Sequence, residues 1–202
     1  MIFRRNFVCL ILGSVLIAQW PSCGQAETPA PLGLKWGASV EDLKQAGVDL
    51  KDFQNKDFGV SYIASKLNRS LADQEAAILS FGYDDKLWRI VINSRDYSND
   101  PSGNAVLSRY SELSEALKEK YGKPSVVHRL GDSIYSQSHY FLAGIRGGES
   151  KWFTNFKTPD LQIQLGLFAT DNSTGSWRLI YEYKPLLILF EASKKSSEKD
   201  KL

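Results

Sequence analysis

The fold is decided by residues 161–168, whose sequence is LQIQLGLF. Successive side chains of a β-strand point to opposite faces of the sheet, so the apolar residues of this stretch share one face. They are Leu161, Ile163, Leu165 and Leu167, whereas Gln162 and Gln164 share the other face. Such alternation is typical of an antiparallel strand with one face in the core and the other in solvent.

The same alternation extends to neighbouring segments of the chain. In residues 177–183, WRLIYEY, Arg178 and Glu182 fall on the polar side. In residues 88–93, WRIVIN, Arg89 and Asn93 fall opposite an apolar side that begins with Trp88. The pattern therefore predicts that several strands contribute polar residues to one solvated surface.

Further strands are predicted wherever apolar runs are bounded by turn residues. Three precede the longest helical pattern, and the last two of these are joined by a tight turn at residues 84–86. They are Val60–Leu67, Ala76–Tyr83 and Leu87–Arg95. Five more follow it, namely Ser125–Leu130, Ile134–Leu142, Lys151–Phe156, Leu161–Phe168 and Trp177–Lys184. Leu186–Phe190 is predicted as one more short strand.

Two helices are predicted. The first runs from Val40 to Ala46, because Ser39 can accept a hydrogen bond from the amide of Asp42 and Gly47 can adopt the left-handed conformation that ends a helix. The second is periodic, with spacings of four, three, four and four between its apolar residues. These residues are Val106, Tyr110, Leu113, Leu117 and Tyr121, and they line one helical face.

This order of elements predicts an α+β fold in which antiparallel sheet carries two main helices on one face. The predicted domain covers residues 34–192, with two possible halves at 34–98 and 104–190. A flexible leader is predicted at residues 27–33, and a disordered charged tail at 193–202.

The amino terminus has the pattern of a secretory signal peptide. Arg4 and Arg5 precede an apolar run from Phe7 to Trp20, and small residues follow, with cleavage expected after Ala26. The run is shorter than the roughly 20 residues that span a bilayer, so no stable span is predicted after signal removal. Two alternatives stay open, acylation of Cys23 and export by the twin-arginine route. The prediction is a periplasmic or secreted bacterial protein.

The charge balance argues against nucleic acid as a partner. The chain has 25 basic and 23 acidic residues, and loss of residues 1–26 removes two arginines and no acid, which leaves 23 of each. Proteins that bind nucleic acid concentrate Lys and Arg in excess in order to displace counterions from phosphate. We therefore predict no nucleic-acid partner.

Motifs for catalysis, metal binding or cofactor binding are not evident. The two histidines, His128 and His139, lie on separate predicted strands without close ligand spacing, so a structural or surface role is expected for each. One alternative is an envelope or cell-wall hydrolase with paired carboxylates. Another is a carrier of a small apolar ligand, with a cavity near Trp152, Phe153 and Phe156.

The residues predicted to bind a partner are polar groups on the solvated strand faces, together with one arginine in the glycine-rich segment 144–149, which is expected to be a loop. They are Arg89, Arg146, Asn155, Gln162, Gln164, Arg178 and Glu182.

Two short segments carry a resemblance to known families. Residues 34–43, LKWGASVEDL, lead from a turn into an acidic-capped helix, and residues 121–124, YGKP, form a helix-to-strand exit. The combination resembles envelope lipoproteins of the SmpA/OmlA type and proteins of the beta-lactamase-inhibitor-protein type. The resemblance implies helices packed on antiparallel sheet and a protein that binds other proteins. We therefore expect an exported, non-enzymatic protein-binding factor, such as an inhibitor, immunity factor or assembly factor.

Overall fold

The structure, a computed structural model, describes residues 28–53 and 57–199. The predicted signal peptide, with Cys23 and the twin arginines, lies outside these residues. One sheet of eight strands organises the chain, and every neighbouring pair is antiparallel. The strands are β1 Asp49–Phe53, β2 Val60–Ser65, β3 Gln74–Phe81, β4 Leu87–Ser94, β5 Ser125–Arg129, β6 Lys151–Lys157, β7 Leu161–Ala169 and β8 Gly175–Tyr183.

The strand order is β1-β2-β3-β4-β8-β7-β6-β5. Strands β1–β4 form one meander and β5–β8 a second, and the two meet where β4 pairs with β8. The helices are α1 Val40–Gln45, α2 Asn104–Tyr121, α3 Phe141–Gly147 and α4 Lys184–Lys199. The predicted α+β class with antiparallel sheet is confirmed.

The helix predicted from Val40 is confirmed as α1. Ser39 and Asp42 form a reciprocal capping box, in which each side chain accepts a hydrogen bond from the other residue's backbone N–H. These bonds satisfy two donors that a helix start otherwise leaves unpaired. Leu43 of α1 is buried in the core.

Three helices cover the same face of the sheet. The periodic face of α2 is buried as predicted, through Val106, Tyr110, Leu113 and Leu117. The buried residues Phe141 and Leu142 of α3 join the same core, together with the inward side chains of β3, β4, β7 and β8. The opposite face carries none of α1, α2 or α3, and we call it the open face.

Two predicted strands are wrong. Where a strand was expected at Ile134–Leu142, two 3₁₀ turns lead into α3. Phe141 and Leu142 are adjacent and both buried, which a helix start permits and strand alternation does not. The segment Leu186–Phe190 lies in α4, which begins at Lys184 and has Pro185 in its first turn, where a missing N–H costs nothing.

Residues 193–199, predicted as part of a disordered tail, continue α4 and are almost all exposed. The structure also adds β1, whose charged sequence DLKDF gave no strand signal. In the predicted leader, the hydroxyl of Thr28 donates to Asp160 at 2.7 Å, and Ala30 and Leu32 pack against the core. Residues 28–33 therefore contact the domain.

Trp88 was expected beside Ile90 on the apolar face of β4, and this is wrong. A register shift in the β3–β4 pair places Leu87 opposite Phe81 and Arg89 opposite Ser80, so Trp88 falls outside the alternation. It is 1% exposed, and its ring stacks on Phe190 of α4. No helix within residues 28–53 and 57–199 has the length and apolarity needed to cross a bilayer.

Candidate functional site

The candidate site is the open face over β4–β8. Cross-strand register brings its residues together in rows, because residues opposite one another in antiparallel strands share a face. One row joins Arg89, Glu182, Gln162 and Lys157, and the next joins Val91, Ile180, Gln164 and Asn155. Five of the seven predicted partner-binding residues lie in these two rows, and a sixth, Arg178, lies in the adjacent row.

The first row is held by an ion pair. Arg89 Nε donates to Glu182 Oε1 at 3.0 Å, and the two side chains are only 12% and 22% exposed. The Arg89 guanidinium also lies over the Phe58 ring at 4.0 Å. Burial lowers the pKa of Arg89, although its hydrogen bond with Glu182 opposes the shift. Gln162 Nε2 completes the row by donating to Glu182 Oε2 at 3.4 Å.

In residues 28–53 and 57–199, no ion pair joins Arg178 to an acid. Its Nε donates to Asn93 Oδ1 at 2.8 Å, and its guanidinium lies over the Phe168 ring at 4.4 Å. Burial lowers the pKa of Arg178, and repulsion from the charge of Arg89 lowers it further. This half-buried cation therefore rests on an amide and an aromatic ring.

Aliphatic side chains run through the middle of the open face. The register aligns Ile63, Ile78, Val91 and Ile180 across β2, β3, β4 and β8. Beyond them, Gln164 Nε2 donates to Asn155 Oδ1 at 2.9 Å. A central apolar strip with polar groups around it is the usual anatomy of a protein-binding surface.

Two recesses border this face. The larger has a volume of about 620 Å³, and its lining includes Lys123, Asn155, Lys157, Gln162, Gln164 and Glu182. The smaller, of about 280 Å³, lies where β6 and β7 diverge beyond the pair Phe153–Gly166. Its lining includes Arg146, Lys151, Phe153, Gln164 and Phe168. Gln164 borders both recesses.

Arg146, unlike the other six residues predicted to bind a partner, lies on a helix. The expected glycine-rich loop is wrong, since residues 144–147 belong to α3 and only Gly148, at φ +77°, takes the left-handed conformation that ends it. Arg146 Nη1 donates to Asn172 Oδ1 at 3.2 Å in the β7–β8 loop. Arg146 therefore lies at the end of the sheet, where it borders the smaller recess.

The two histidines have separate environments. His128 stacks on Trp152 with ring centroids 4.2 Å apart, and its Nε2 is 3.2 Å from the Tyr110 hydroxyl. Burial lowers the pKa of His128. His139 contacts Tyr140 edge-on. Within residues 28–53 and 57–199, no three His, Cys, Asp or Glu side chains are grouped closely enough to hold a metal ion.

One buried acid, Asp73, was not singled out by the sequence. Asp73 is 8% exposed and accepts hydrogen bonds from Tyr97 Oη at 2.5 Å, Trp177 Nε1 at 2.7 Å and Arg109 Nη2 at 3.0 Å. Burial tends to raise the pKa of Asp73, but the bonds from Arg109, Tyr97 and Trp177 outweigh it and lower the pKa to about 2. This carboxylate ties α2 to β8 and to the segment after β4.

A separate groove lies on the helix side, between α2 and the sheet. Its volume is about 360 Å³, and its apolar lining includes Ile92, Leu113, Leu117 and Leu179. Arg69 and Lys120 are its charged lining residues. The aromatic residues predicted to surround such a cavity do not line it. Phe156 is in the core, Trp152 packs on His128, and Phe153 lies at the smaller open-face recess.

Comparison with protein-family models, curated proteins and solved structures found no match to this chain. The resemblance to the SmpA/OmlA and beta-lactamase-inhibitor-protein types therefore stays a prediction from the sequence.

Proposed function

We propose that the protein is an exported, non-enzymatic factor of the bacterial envelope that binds another protein through the open face. An inhibitor, an immunity factor and an assembly factor all meet this description. The observation that carries the proposal is the assembly of Arg89, Asn155, Gln162, Gln164, Arg178 and Glu182 on the sheet surface that carries none of α1, α2 or α3. The amino-terminal pattern supports export, and the apolar strip supports protein binding.

The arrangement suits recognition because the side chains are already ordered. Arg89 and Arg178 are each held by a hydrogen bond and an aromatic ring, so binding costs little further side-chain entropy. The paired strands beneath them keep the backbone fixed, and rigid Arg and aromatic groups dominate the energy of protein interfaces.

The test compares two matched variants in binding to envelope extract. Gln164→Trp places a bulky ring on the open face between the two recesses, whereas Glu119→Trp places it on the exposed side of α2. We expect wild-type protein and Glu119→Trp to capture the same protein saturably, and Gln164→Trp to lose it while keeping wild-type thermal stability. Equal capture by all three proteins would contradict the proposal.

A second candidate, a carrier of an apolar anion, is favoured by the groove beside α2, since its leucine-rich lining also includes Arg69 and Lys120. Calorimetric titration with dodecanoate tests it. Ala116→Trp fills the groove and should abolish binding, whereas Ala105→Trp, on the same helix but outside the groove, should preserve it. Absence of dodecanoate binding to the wild-type protein would exclude this candidate.

A further inference from the structure

The charges of the second half of the sheet are segregated by sign. Strands β4–β8 contain six charged residues, all on the open face, in a chain whose 25 basic and 23 acidic residues nearly balance. Five are cations and one is an acid: Arg89, Arg129, Lys151, Lys157 and Arg178 against Glu182. Over β4–β8, the open face is therefore much more positive than the protein as a whole.

Only one of the five cations is neutralised within the sheet. Arg89 pairs with Glu182, which uses the single acid of these strands. Among residues 28–53 and 57–199, no ion pair includes Arg178, Lys151 or Lys157. Arg178 is the most constrained of them, since Asn93 and Phe168 hold its guanidinium in place. A fixed, half-buried cation without a carboxylate is a site prepared for an anion from outside.

The recesses add to this excess. The larger is lined by Lys123 and Lys157, and the smaller by Arg146 and Lys151. The acid that lines the larger one is Glu182, which Arg89 already engages, and the lining of the smaller one contains no acid. Both recesses therefore offer side-chain N–H donors to carboxylates.

Resting on the proposed function, we propose that the partner of the open face is a protein that presents an acidic patch, with carboxylates directed at Arg178 and into the two recesses. Carboxylates suit this surface better than nucleic acid for two reasons. Arg178 already occupies one face of the Phe168 ring, on which a base would otherwise stack. The aliphatic strip through Val91 and Ile180 suits the apolar part of a protein interface.

The probe is a fluorescein-labelled peptide of alternating Glu and Ser, and its control has Gln in place of Glu. We expect the Glu peptide to bind wild-type protein saturably at low ionic strength, with affinity falling as salt is added, because the contacts are between charges. The Gln peptide should not bind. No saturable binding of the Glu peptide, or equal binding of both peptides, would overturn the proposal.

Charge-removing variants locate the site. Lys151→Gln combined with Lys157→Gln changes two exposed side chains and should weaken Glu-peptide binding about tenfold. Lys44→Gln combined with Lys118→Gln removes the same charge from exposed positions of α1 and α2 and should leave the affinity unchanged. Equal weakening by both double variants would show that net charge, rather than the open face, is responsible, and would overturn the proposal. Thermal denaturation establishes that both fold.

A third arm replaces the peptide with single-stranded polyuridylate. We expect it to bind less tightly than the Glu peptide at equal ionic strength, and tighter binding would favour nucleic acid and overturn the acidic-protein proposal.

The acidic-partner proposal and the proposed function can fail independently of each other. A captured partner with a basic or neutral contact surface would overturn this inference alone, whereas failure of the capture comparison would overturn the proposed function.

Discussion

Replacing Asp73 with Asn is expected to destabilise the protein in a way that depends on pH. Asp73 is almost fully buried and accepts hydrogen bonds from Tyr97, Trp177 and Arg109. An Asn side chain has the same shape, but its NH₂ group would face donors instead of accepting from them. It would also leave the guanidinium of Arg109 without its buried partner, although Glu112 still contacts it at 2.9 Å.

The lowered pKa of Asp73 sets the size of the expected loss of stability. In the folded protein it is lowered from 3.8 to about 2, which corresponds to about 2 kcal/mol of stability from the ionised carboxylate. Because the folded pKa lies below the unfolded pKa, this contribution is complete above pH 3.8 and is lost as the pH falls through 2. Unpaired donors add to the cost, so we expect Asp73→Asn to lose about 2–4 kcal/mol near neutral pH.

Urea denaturation followed by far-ultraviolet circular dichroism measures this effect. The difference in the free energy of unfolding between wild type and Asp73→Asn should be largest near neutral pH and should narrow as the pH falls towards 2. Glu112→Gln removes the exposed acid on the same arginine and should change stability by less than about 0.5 kcal/mol. A loss for Asp73→Asn that is equally small, or that does not vary with pH, would show that these hydrogen bonds do not stabilise the ionised carboxylate.

Two further substitutions test the packing around the open face. Gly59→Ala should cost at least about 2 kcal/mol, because Gly59 has φ +86° and an added Cβ would lie 2.1 Å from the Phe81 carbonyl oxygen. Gly47→Ala, which has the same φ but meets no atom within 4 Å, should cost only about 1 kcal/mol in urea denaturation, and equal losses would contradict the clash. Glu182→Gln should cost about 1–3 kcal/mol, since it leaves the largely buried Arg89 without its ion pair. An unchanged midpoint of thermal unfolding for Glu182→Gln would show that the Arg89–Glu182 ion pair does not stabilise the protein.

The sequence was sufficient for features that depend on local periodicity. Alternation in residues 161–168 and 177–183 predicted both faces of β7 and β8, and the four–three–four spacing of apolar residues predicted the buried face of α2. The capping residues Ser39 and Asp42 fixed the start of α1. These signals are local because the hydrogen bonds or side-chain faces concerned are set by neighbours a few residues apart.

Features that depend on distant contacts were missed. The short apolar run Leu186–Phe190 fits a buried strand as well as a buried helix, so its pattern alone does not decide between them. In the structure it is helical, and Phe190 contacts Trp88, about a hundred residues earlier. The donors to Asp73 come from residues 97, 109 and 177, which no short pattern connects.

The alternation of polar residues along the strands indicated which of them share a face, among them Arg89, Gln164 and Arg178. Lys151 and Lys157 were not among the residues predicted to bind a partner. Their significance comes from strand order, which places β6 beside β7 and β8 and gathers their cations on one face. Arg146 was selected as a loop residue and lies on α3 instead.

Photo-crosslinking in living cells that express the protein tests directly whether the open face binds another protein. A photoreactive benzophenone side chain replaces Gln164 on the open face or, in a matched protein, Glu119 on α2. If the open face binds a protein, irradiation should give a discrete adduct of higher mass from position 164 and none from position 119. No adduct from position 164, or the same adduct from both positions, would contradict the account.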